Sequence, residues 1–394
     1  MKDVVIVSAK RTAIGSYLGA YVNVSAIELG TVAVKAAIDA AGIQPEQVDN
    51  VVLGNVLSSG LGQNPARQVA IFSGIPHDKT ANVISMVCGS GLKAVMEAAN
   101  QIRTGEADIV VAGGMESMSN AGHVLQSHRT GVKAGHSQLT DTMLCDGLTD
   151  AFGGFHMGIT AENLAKKYEI TREEQDRFAT QSQNRAEAAI KAGRFVDEIA
   201  PVTIANRKGD IIVDTDEFPR FGSTYESISK PKPAFIRDGS GTVTAANASG
   251  LNDGAAALVL MSKEKAQELD LTPLVEIVSQ ASAGVDPETM GYGPVPSSQK
   301  ALAAANLSIR DIDLVEANEA FASQALSVCK GLDLDPEITN VNGGAIALGH
   351  PIGASGARIL VSLVHELTKR EKTYGLATLC IGGGQGVSVI VKRS

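Results

Sequence analysis

The stretch Ser85-Met86-Val87-Cys88-Gly89-Ser90-Gly91 stands immediately before an apolar helical pattern at residues 91–103. A cysteine in the turn between a strand and a helix lies at the positive end of the helix dipole, where free backbone N–H groups stabilise a thiolate. The flanking glycines leave room for a ligand against the backbone. A buried structural residue is the commoner fate of an isolated cysteine, but this glycine-rich setting favours a nucleophile at Cys88.

The first 118 residues alternate strand and helix signals. The predicted strands are residues 4–7, 51–53, 83–84 and 109–112, and the predicted helices are residues 26–41 and 91–103. Because these strands are continuously apolar and are separated by helices, we expect a sheet that is covered on both faces.

Residues 119–249 have a different composition, in which polar and glycine-rich stretches dominate. One amphipathic helical region, residues 159–192, is predicted within them. Long segments of this kind often close over a ligand. We therefore predict an inserted loop domain at residues 119–249.

The strand and helix pattern returns after the insertion, and its landmarks repeat those of the first part. Ser90 corresponds to Ser355 (355 − 90 = 265), Gly113 to Gly382 (382 − 113 = 269), and Val51 to Leu314 (314 − 51 = 263). The nearly constant offset predicts two duplicated α/β halves. The first comprises residues 1–118 with 250–270, since residues 255–261 complete its sheet, and the second comprises residues 271–394.

The duplication has a geometric consequence for three reactive side chains. Cys88 precedes a helix of the first half, His350 precedes the equivalent helix of the second half, and Cys380 follows the last core strand. If the halves pack about a pseudo-twofold axis, all three lie at the end of the sheets where α/β folds bind ligands.

His350 stands between Gly349 and Pro351, and the proline biases it towards an extended, rigid conformation. A rigid imidazole suits a base that must meet a thiol. A phosphate-cradling loop is the alternative, but no Gly-Lys-Ser/Thr arrangement follows. Asn318, after the strand at Leu314, is predicted either to bind a water or to cap a helix. The glycines after Cys380 offer N–H groups for an oxyanion hole or form a simple turn.

The composition excludes several classes of protein. The 394 residues carry a net charge of −9, which argues against binding to nucleic acid or to an anionic membrane. The four cysteines are scattered and form no Cys-x-x-Cys pair, so we expect neither a disulfide scaffold nor a metal site. No signal peptide or membrane-spanning run is evident, and we expect a cytoplasmic protein.

Five motifs, taken together and in this order, resemble those of the thiolase family over essentially the whole chain. They are Val87-Cys88-Gly89-Ser90-Gly91, Gly113-Gly114-Met115-Glu116-Ser117-Met118-Ser119, Asn318-Glu319-Ala320-Phe321, Gly349-His350-Pro351 and Cys380-Ile381-Gly382-Gly383-Gly384. The resemblance implies an α/β thiolase fold, in which two duplicated βαβαβαββ halves form five αβαβα layers with an inserted loop domain.

The resemblance also implies a ping-pong acyl transfer. His350 deprotonates Cys88, which takes the acyl group of an acyl-CoA. Cys380 is the acid or base at the α-carbon of a second acetyl-CoA. Asn318, through a water, and His350 serve the enolate, while the N–H groups of Cys88 and Gly382 serve the tetrahedral intermediate.

The substrates implied are thioesters of coenzyme A, namely acetyl-CoA and acetoacetyl-CoA, with no tightly bound cofactor. The resemblance places CoA against Leu148, His156, Met157, Arg220, Lys232, Phe235, Ala245 and Ser249. Lys232 stands where family members often have arginine, which keeps the charge but loses bidentate geometry. Without the family, Arg220 and Lys232 are interpreted as ordinary solvated charges.

Residues 156–163 resemble the biosynthetic, acetoacetyl-CoA type, and Met290 would narrow the acyl pocket further. The alternative is a degradative 3-ketoacyl-CoA thiolase of fatty-acid β-oxidation that accepts longer chains. A decarboxylating ketoacyl synthase and a non-catalytic acyl-CoA carrier are the more distant alternatives. The family suggests a homotetramer, and close approach of Cys88 and Cys380 would permit a regulatory disulfide.

Overall fold

The computed structural model describes residues 2–394. The strands are β1 (Val4–Thr12), β2 (Gly15–Ser16), β3 (Asn50–Gly54), β4 (Thr80–Ile84), β5 (Ile109–Ser117), β6 (His123–Leu125), β7 (Leu139–Asp141), β8 (Ile199–Ala200), β9 (Val202–Ile204), β10 (Ile211–Val213), β11 (Asn252–Ser262), β12 (Val275–Gly284), β13 (Leu314–Ala317), β14 (Tyr374–Ile381) and β15 (Gln385–Arg393).

The α-helices are α1 (Ala26–Ala41), α2 (Pro65–Phe72), α3 (Ser90–Thr104), α4 (Met157–Lys167), α5 (Arg172–Lys191), α6 (Tyr225–Ile228), α7 (Lys263–Glu268), α8 (Pro294–Ala305), α9 (Ala322–Leu332), α10 (Ala345–Leu348) and α11 (Ser355–Lys369). Short 3₁₀ turns span Pro45–Gln47, His128–Thr130, Pro287–Tyr292 and Ile309–Asp311, and a π-helical turn spans Met143–Leu148. Within the described chain, no helix combines the length and the apolar character needed to cross a membrane.

Eleven of the strands form one continuous sheet with two parts, while β6 with β7 and β9 with β10 form separate two-stranded sheets. The first part has the order β4-β3-β5-β11-β1, and the second has the order β12-β15-β14-β13. They are joined where β1 pairs with β12 through Val5 opposite Glu276 and Ile6 opposite Val275. β3 runs parallel to β4 and β5, whereas β11 is antiparallel to β5 and β1.

The predicted duplication is visible in the order of the elements. The first half reads β1-α1-β3-α2-β4-α3-β5-β11, and the second reads β12-α8-β13-α9-α11-β14-β15, with the short α10 before α11. The place of β4 in the second half is taken by a single parallel bridge between Val315 and Thr339. The central helices α3 and α11 both have 15 residues.

The helices and sheet parts form the predicted αβαβα layers, so the predicted thiolase fold class is confirmed. α3 and α11 contact each other and both parts of the sheet, α1 covers the outer face of the first part, and α8 covers the outer face of the second. The middle of the molecule is a continuous apolar core built from side chains such as Leu92, Val95, Leu360 and Val364. Burial of this kind is the main force that holds the layers together.

The segment between β5 and β11 contains two long helices rather than the single helical region predicted for residues 159–192. α4 ends at Lys167, and α5 begins after Thr171. Thr171 accepts a hydrogen bond from the Glu174 N–H, and the Glu174 carboxylate accepts one from the Thr171 N–H. This capping box starts a new helix and explains the difference. Both helices pack against α9 of the second half.

Candidate active site

Cys88 lies in a strained turn between β4 and α3. Val87 has a φ of 44°, and among residues 2–394 it is the only β-branched residue with a positive φ. A β-branched residue in this region is a backbone outlier. The turn is held by Ser90, whose hydroxyl donates to the Val87 carbonyl at 2.6 Å and accepts from the Met86 N–H at 2.8 Å.

The equivalent turn of the second half is inserted between the strand ends of the first half. Glycines line its path, because a Cβ on Gly114 would lie 2.1 Å from the Gly353 carbonyl oxygen. The same oxygen would lie 2.7 Å from a Cβ on Gly54 and 3.0 Å from one on Gly91. The absence of side chains at these positions therefore brings the His350 turn against the start of α3.

Glu116 joins this inserted turn to the first half. Its buried carboxylate accepts hydrogen bonds from Asn55 Nδ2 (2.8 Å), the Val56 N–H (3.0 Å), the Leu57 N–H (3.2 Å) and the Gly353 N–H (3.0 Å). Burial raises the pKa of this carboxyl group to about 7, and the three backbone donors oppose the rise. The group ties the loop after β3 to the turn that carries His350.

His350 is buried and is held on one side only. Its N–H donates to Asn252 Oδ1 at 2.9 Å, and its Nδ1 lies 2.6 Å from the Ser355 hydroxyl. Its Nε2 has no hydrogen-bond partner. Burial lowers the pKa of the imidazole to about 3, and the Arg358 guanidinium adds to the effect. His350 is therefore a neutral imidazole with one free nitrogen.

Cys380 and Gly382 lie at the end of β14, which also borders the region around Cys88. Burial raises the pKa of the Cys88 thiol to about 11, and the backbone N–H of Gly382 opposes the rise. Burial, and then the nearby Cys88, raise the pKa of the Cys380 thiol. Both cysteines are free, neutral thiols, and Cys380 is fully buried.

Asn318 follows β13, and its backbone N–H donates to the Thr378 carbonyl at 3.0 Å. Its side-chain Nδ2 lies 3.4 Å from His350 Nδ1, and its Oδ1 has no partner. α9 begins only at Ala322, and Phe321 occupies its N-cap position without a side-chain hydrogen bond. Asn318 is therefore not the helix cap considered from the sequence, but part of the cluster around His350.

A cavity of about 290 Å³ opens onto Cys88 and His350. The predicted residues that line it are Cys88, Leu148, His156, Met157, Phe235, Ala245, Ser249, Met290 and His350. Cys380 belongs to the apolar cluster beside the cavity, together with Met157, Met290 and Phe321. The structure thus brings both halves and the segment between β5 and β11 together around one cavity.

One wall of the cavity is an aromatic stack. The His156 ring lies 4.7 Å from the Phe235 ring, and Phe235 meets Phe321 edge-on at 6.3 Å. His156 Nδ1 accepts the Gly158 N–H at 3.0 Å, which fixes the imidazole at the start of α4. A Cβ on Gly158 would lie 2.2 Å from the Phe235 ring, so this glycine makes room for the wall.

The chain matches the family models for the thiolase N-terminal domain over residues 4–264 and the thiolase C-terminal domain over residues 271–393. It belongs to the thiolase family. The resemblance inferred from the five motifs is thereby confirmed.

The relatives of this thiolase cover it from end to end. An acetyl-CoA acetyltransferase of Cupriavidus necator is 60% identical over 394 residues, which is 100% of both chains, and one of Rhizobium meliloti is 59% identical over 99% of both. The crystal structure of the Bacillus anthracis acetyl-CoA acetyltransferase is 47% identical, with a TM-score of 0.98, covering 100% of this chain and 99% of its own.

Two of the residues predicted to bind CoA lie outside the cavity. Lys232 is exposed and lines a shallow depression that shares Ala234 with the cavity, so it lies beside the cavity wall. Arg220 is exposed, its N–H donates to Gln183 Oε1 at 2.8 Å, and its guanidinium lies over the Phe218 ring at 5.7 Å.

Sequence reasoning missed several residues that shape this site. Asn252 and Ser355 hold His350, and Glu116 holds the turn beneath it. Met118 and Ile352 line the cavity itself. Ser355 had a signal in the sequence, because it aligns with Ser90 in the duplication, but nothing in the sequence shows which group its hydroxyl contacts.

Proposed function

We propose that the protein is an acetyl-CoA C-acetyltransferase that condenses two acetyl-CoA molecules into acetoacetyl-CoA and free CoA, reversibly. The observation that carries the proposal is the unpartnered His350 Nε2 in the cavity onto which the Cys88 thiol opens. Curated relatives that share 55–60% of its residues carry the name acetyl-CoA acetyltransferase. The reaction makes it an acyltransferase.

In the first half-reaction His350 Nε2 accepts the proton of Cys88, and the thiolate attacks the carbonyl carbon of acetyl-CoA. The bond from sulfur to the acetyl carbon forms, and the bond to CoA breaks. CoA leaves with the proton of the Cys380 thiol, so Cys380 becomes a thiolate while His350 keeps the proton that it took from Cys88. A neutral thiol and a neutral imidazole form the resting state, because burial disfavours both charged forms.

In the second half-reaction the Cys380 thiolate removes a proton from the methyl group of a second acetyl-CoA. The resulting carbanion attacks the acetyl carbon on Cys88, and the Cys88 thiolate leaves and takes its proton back from His350. Cys380 belongs to the same apolar cluster as Met157 and Met290 and so lies in an apolar setting. A thiol there is neutral at rest, and it returns its proton to the enolate when the reaction runs as thiolysis.

Two anions form during these steps, and each needs hydrogen-bond donors. We propose that the backbone N–H groups of Cys88 and Gly382 bind the oxyanion of the tetrahedral intermediate, because these two groups oppose the rise that burial causes in the pKa of the Cys88 thiol. We assign the enolate to protonated His350 Nε2 and to a water held by Asn318. The position of Asn318 beside His350 supports this second assignment.

The cavity walls are proposed to hold the pantetheine arm of CoA. The apolar and aromatic surface of Leu148, Met157 and Phe235 suits that arm. Ser249 lies on the same wall, where its N–H donates to the Ala320 carbonyl at 3.0 Å, and Ala245 lines the cavity nearby. Lys232, beside the cavity wall, and Arg220 are proposed to attract the phosphates.

The size of the cavity favours short acyl chains. Its volume of about 290 Å³ is at the small end of the range for ligand sites, roughly 300–1,000 Å³. Met290 is 2% exposed and forms part of its wall. We expect kcat/KM for thiolysis of acetoacetyl-CoA to exceed that of 3-oxohexadecanoyl-CoA by about 10-fold or more. A preference for the longer substrate would overturn the proposal in favour of the degradative thiolase.

A second experiment separates this reaction from decarboxylative condensation and from simple binding. We expect Cys380→Ser to lower condensation of acetyl-CoA by about 10²- to 10⁴-fold, because the base is lost, while Cys88 still becomes acetylated. A ketoacyl synthase would need no such base, and a carrier would bind acyl-CoA without turnover. Full condensation by Cys380→Ser would exclude the assigned role of Cys380.

The remaining expectations concern the protein in the cell. We propose a homotetramer that works in the cytoplasm, in lipid metabolism. The support is the thiolase family membership. Light scattering coupled to size-exclusion chromatography tests the assembly, with a mass of four 40.8 kDa chains expected.

A further inference from the structure

The two central helices begin with the same residue type at equivalent positions. Ser90 is the first residue of α3, and Ser355 is the first residue of α11. Both are almost fully buried, at 0% and 1% exposure. Each hydroxyl contacts the turn that precedes its helix, and those turns carry Cys88 and His350.

The direction of the hydroxyl of Ser90 is determined by its partners. The Val87 carbonyl, at 2.6 Å, can only accept a hydrogen bond, and the Met86 N–H, at 2.8 Å, can only donate one. A serine hydroxyl has a single hydrogen. Ser90 therefore donates to the carbonyl behind it and accepts from the N–H group beside it.

Ser355 repeats this arrangement with one partner exchanged. Its hydroxyl lies 2.9 Å from the Pro351 carbonyl, which can only accept a hydrogen bond. Its other contact, at 2.6 Å, is His350 Nδ1 in place of a backbone N–H. The single hydroxyl hydrogen can reach either the Pro351 carbonyl or Nδ1, and when it lies on the carbonyl, as Ser90 places its own on the Val87 carbonyl, the hydroxyl accepts from Nδ1. The Asn318 contact to Nδ1, at 3.4 Å, is beyond the usual length and does not compete.

We propose that Ser355 is a positioning residue that keeps the proton of neutral His350 on Nδ1 and so leaves Nε2 bare towards Cys88. The use made of that bare nitrogen rests on the proposed function, while the tautomer itself does not. The opposite tautomer would carry its proton on Nε2 and could not take one from the Cys88 thiol.

Two further features of the site support the assignment. Nε2 has no hydrogen-bond partner, although the side chain is buried. This is expected of a nitrogen that accepts a proton only during the reaction. Arg358, one turn along α11 from Ser355, carries a positive charge that disfavours a second proton on the ring. The imidazole thus stays neutral, and which nitrogen bears its proton decides whether it is a base.

Solid-state ¹⁵N NMR of the wild-type protein with ring-labelled histidine tests the tautomer directly. The His350 signals are assigned by their loss in His350→Ala. We expect a protonated, pyrrole-type signal for Nδ1 and an unprotonated, pyridine-type signal for Nε2 at neutral pH. The reverse pattern, or an even mixture, overturns the proposal. This measurement needs no serine variant to fold and no acyl transfer to occur.

Kinetics of two serine variants test the consequence. In Ser355→Ala we expect kcat for acetoacetyl-CoA thiolysis to fall about 10- to 100-fold, because the base is no longer held in one tautomer, with KM changed less than about threefold. The ¹⁵N signals should become mixed. Ser355→Thr keeps the hydroxyl and should recover most of kcat. An unchanged kcat in folded Ser355→Ala contradicts the proposal.

Ser90→Ala is the matched control, because it removes the equivalent hydroxyl from the first half. It should lower the melting temperature about as much as Ser355→Ala and leave the His350 signals unmixed. Mixed His350 signals in Ser90→Ala would show that general loosening of the core explains the effect. If wild type shows the expected tautomer but does not condense acetyl-CoA, the proposed function fails and the tautomer assignment stands.

Discussion

The turn before α3 and the turn before α11 occupy equivalent places in the two halves but do different work. The first holds a thiol on a strained backbone, with Val87 at a φ of 44°, and its serine caps a backbone N–H. The second holds an imidazole between Gly349 and Pro351, and its serine contacts that imidazole. The duplication therefore places a thiol and an imidazole on the wall of one cavity without requiring a new element.

The turn before α11 also makes closer contacts with the first half than the turn before α3 makes with the second half. The Gly353 carbonyl lies among glycines of β3, β5 and α3, and its N–H donates to Glu116. The Cys88 turn meets the second half at Ile381, whose side chain would lie 2.4 Å from a Cβ on Gly89.

The largest effect is expected from His350→Asn, which removes the base and keeps a side chain of similar polarity. We predict that kcat falls about 10²- to 10⁴-fold in both directions, while CoA binding is retained. Steady-state kinetics and calorimetric titration with CoA measure the two quantities. Activity within tenfold of wild type would show that the second turn does not supply the base.

Gly114→Ala should break the fit between the turns. Its Cβ would lie 2.1 Å from the Gly353 carbonyl oxygen, a distance that forces a backbone shift of about 1 Å and lowers kcat about 10²-fold. The matched control is Gly254→Ala, whose Cβ would lie an ordinary 3.5 Å from Pro351. Equal activities of the two variants would show that catalysis does not depend on the close approach of the Gly353 carbonyl to Gly114.

Glu116→Gln should weaken the hydrogen bonds that hold the turn before α11 to the loop after β3, without adding atoms that fill space. The amide keeps one acceptor but turns an NH₂ group towards buried donors, so we expect a loss of about 2 kcal/mol in the free energy of unfolding. The shifted His350 turn should lower kcat about tenfold. Glu97→Gln on the same half is the control, since Glu97 only pairs with Lys93 near the surface. Urea denaturation and kinetics provide the readouts.

The two turns should also respond to pH in opposite directions. The folded pKa of His350, about 3, is below its ordinary 6.5, so its contribution to stability is present above pH 6.5 and is lost as the pH falls towards 3. The folded pKa of Cys88, about 11, is above its ordinary 9, so its contribution is lost as the pH rises from 9 towards 11.

The acid side is measured by comparing wild type with His350→Asn. Between pH 6 and pH 4 wild type should lose up to about 1.4 kcal/mol per pH unit more than the variant, because its unfolded state takes up one extra proton. Urea denaturation at each pH gives both free energies. Parallel curves would mean that His350 is not buried as a neutral group.

The sequence predicted much of this architecture because its signals are local. The helix at residues 26–41 and the strand at residues 255–261 follow from periodicity and apolar runs, and the offset of 265 between Ser90 and Ser355 revealed the duplication. The meeting of Cys88 and His350 followed from equivalent turns.

The remaining features depend on contacts that no local pattern encodes. Gly114 is an ordinary strand glycine until the Gly353 carbonyl is placed against it. Glu116 reads as a motif residue, and only the fold shows the donors that converge on it. The break between α4 and α5 was missed because the capping box at Thr171 interrupts a pattern that is amphipathic on both sides.

The account rests on Cys88 as the residue that carries the acyl group. Incubation with acetyl-CoA, rapid acid quenching and peptide mass spectrometry test this directly, with Cys88→Ala as the blank. We predict an added acetyl group on the peptide that contains Cys88, and none on those that contain Cys145, Cys329 or Cys380. An active enzyme in which Cys88 stays unmodified, or in which Cys380 carries the acetyl group, would contradict the account.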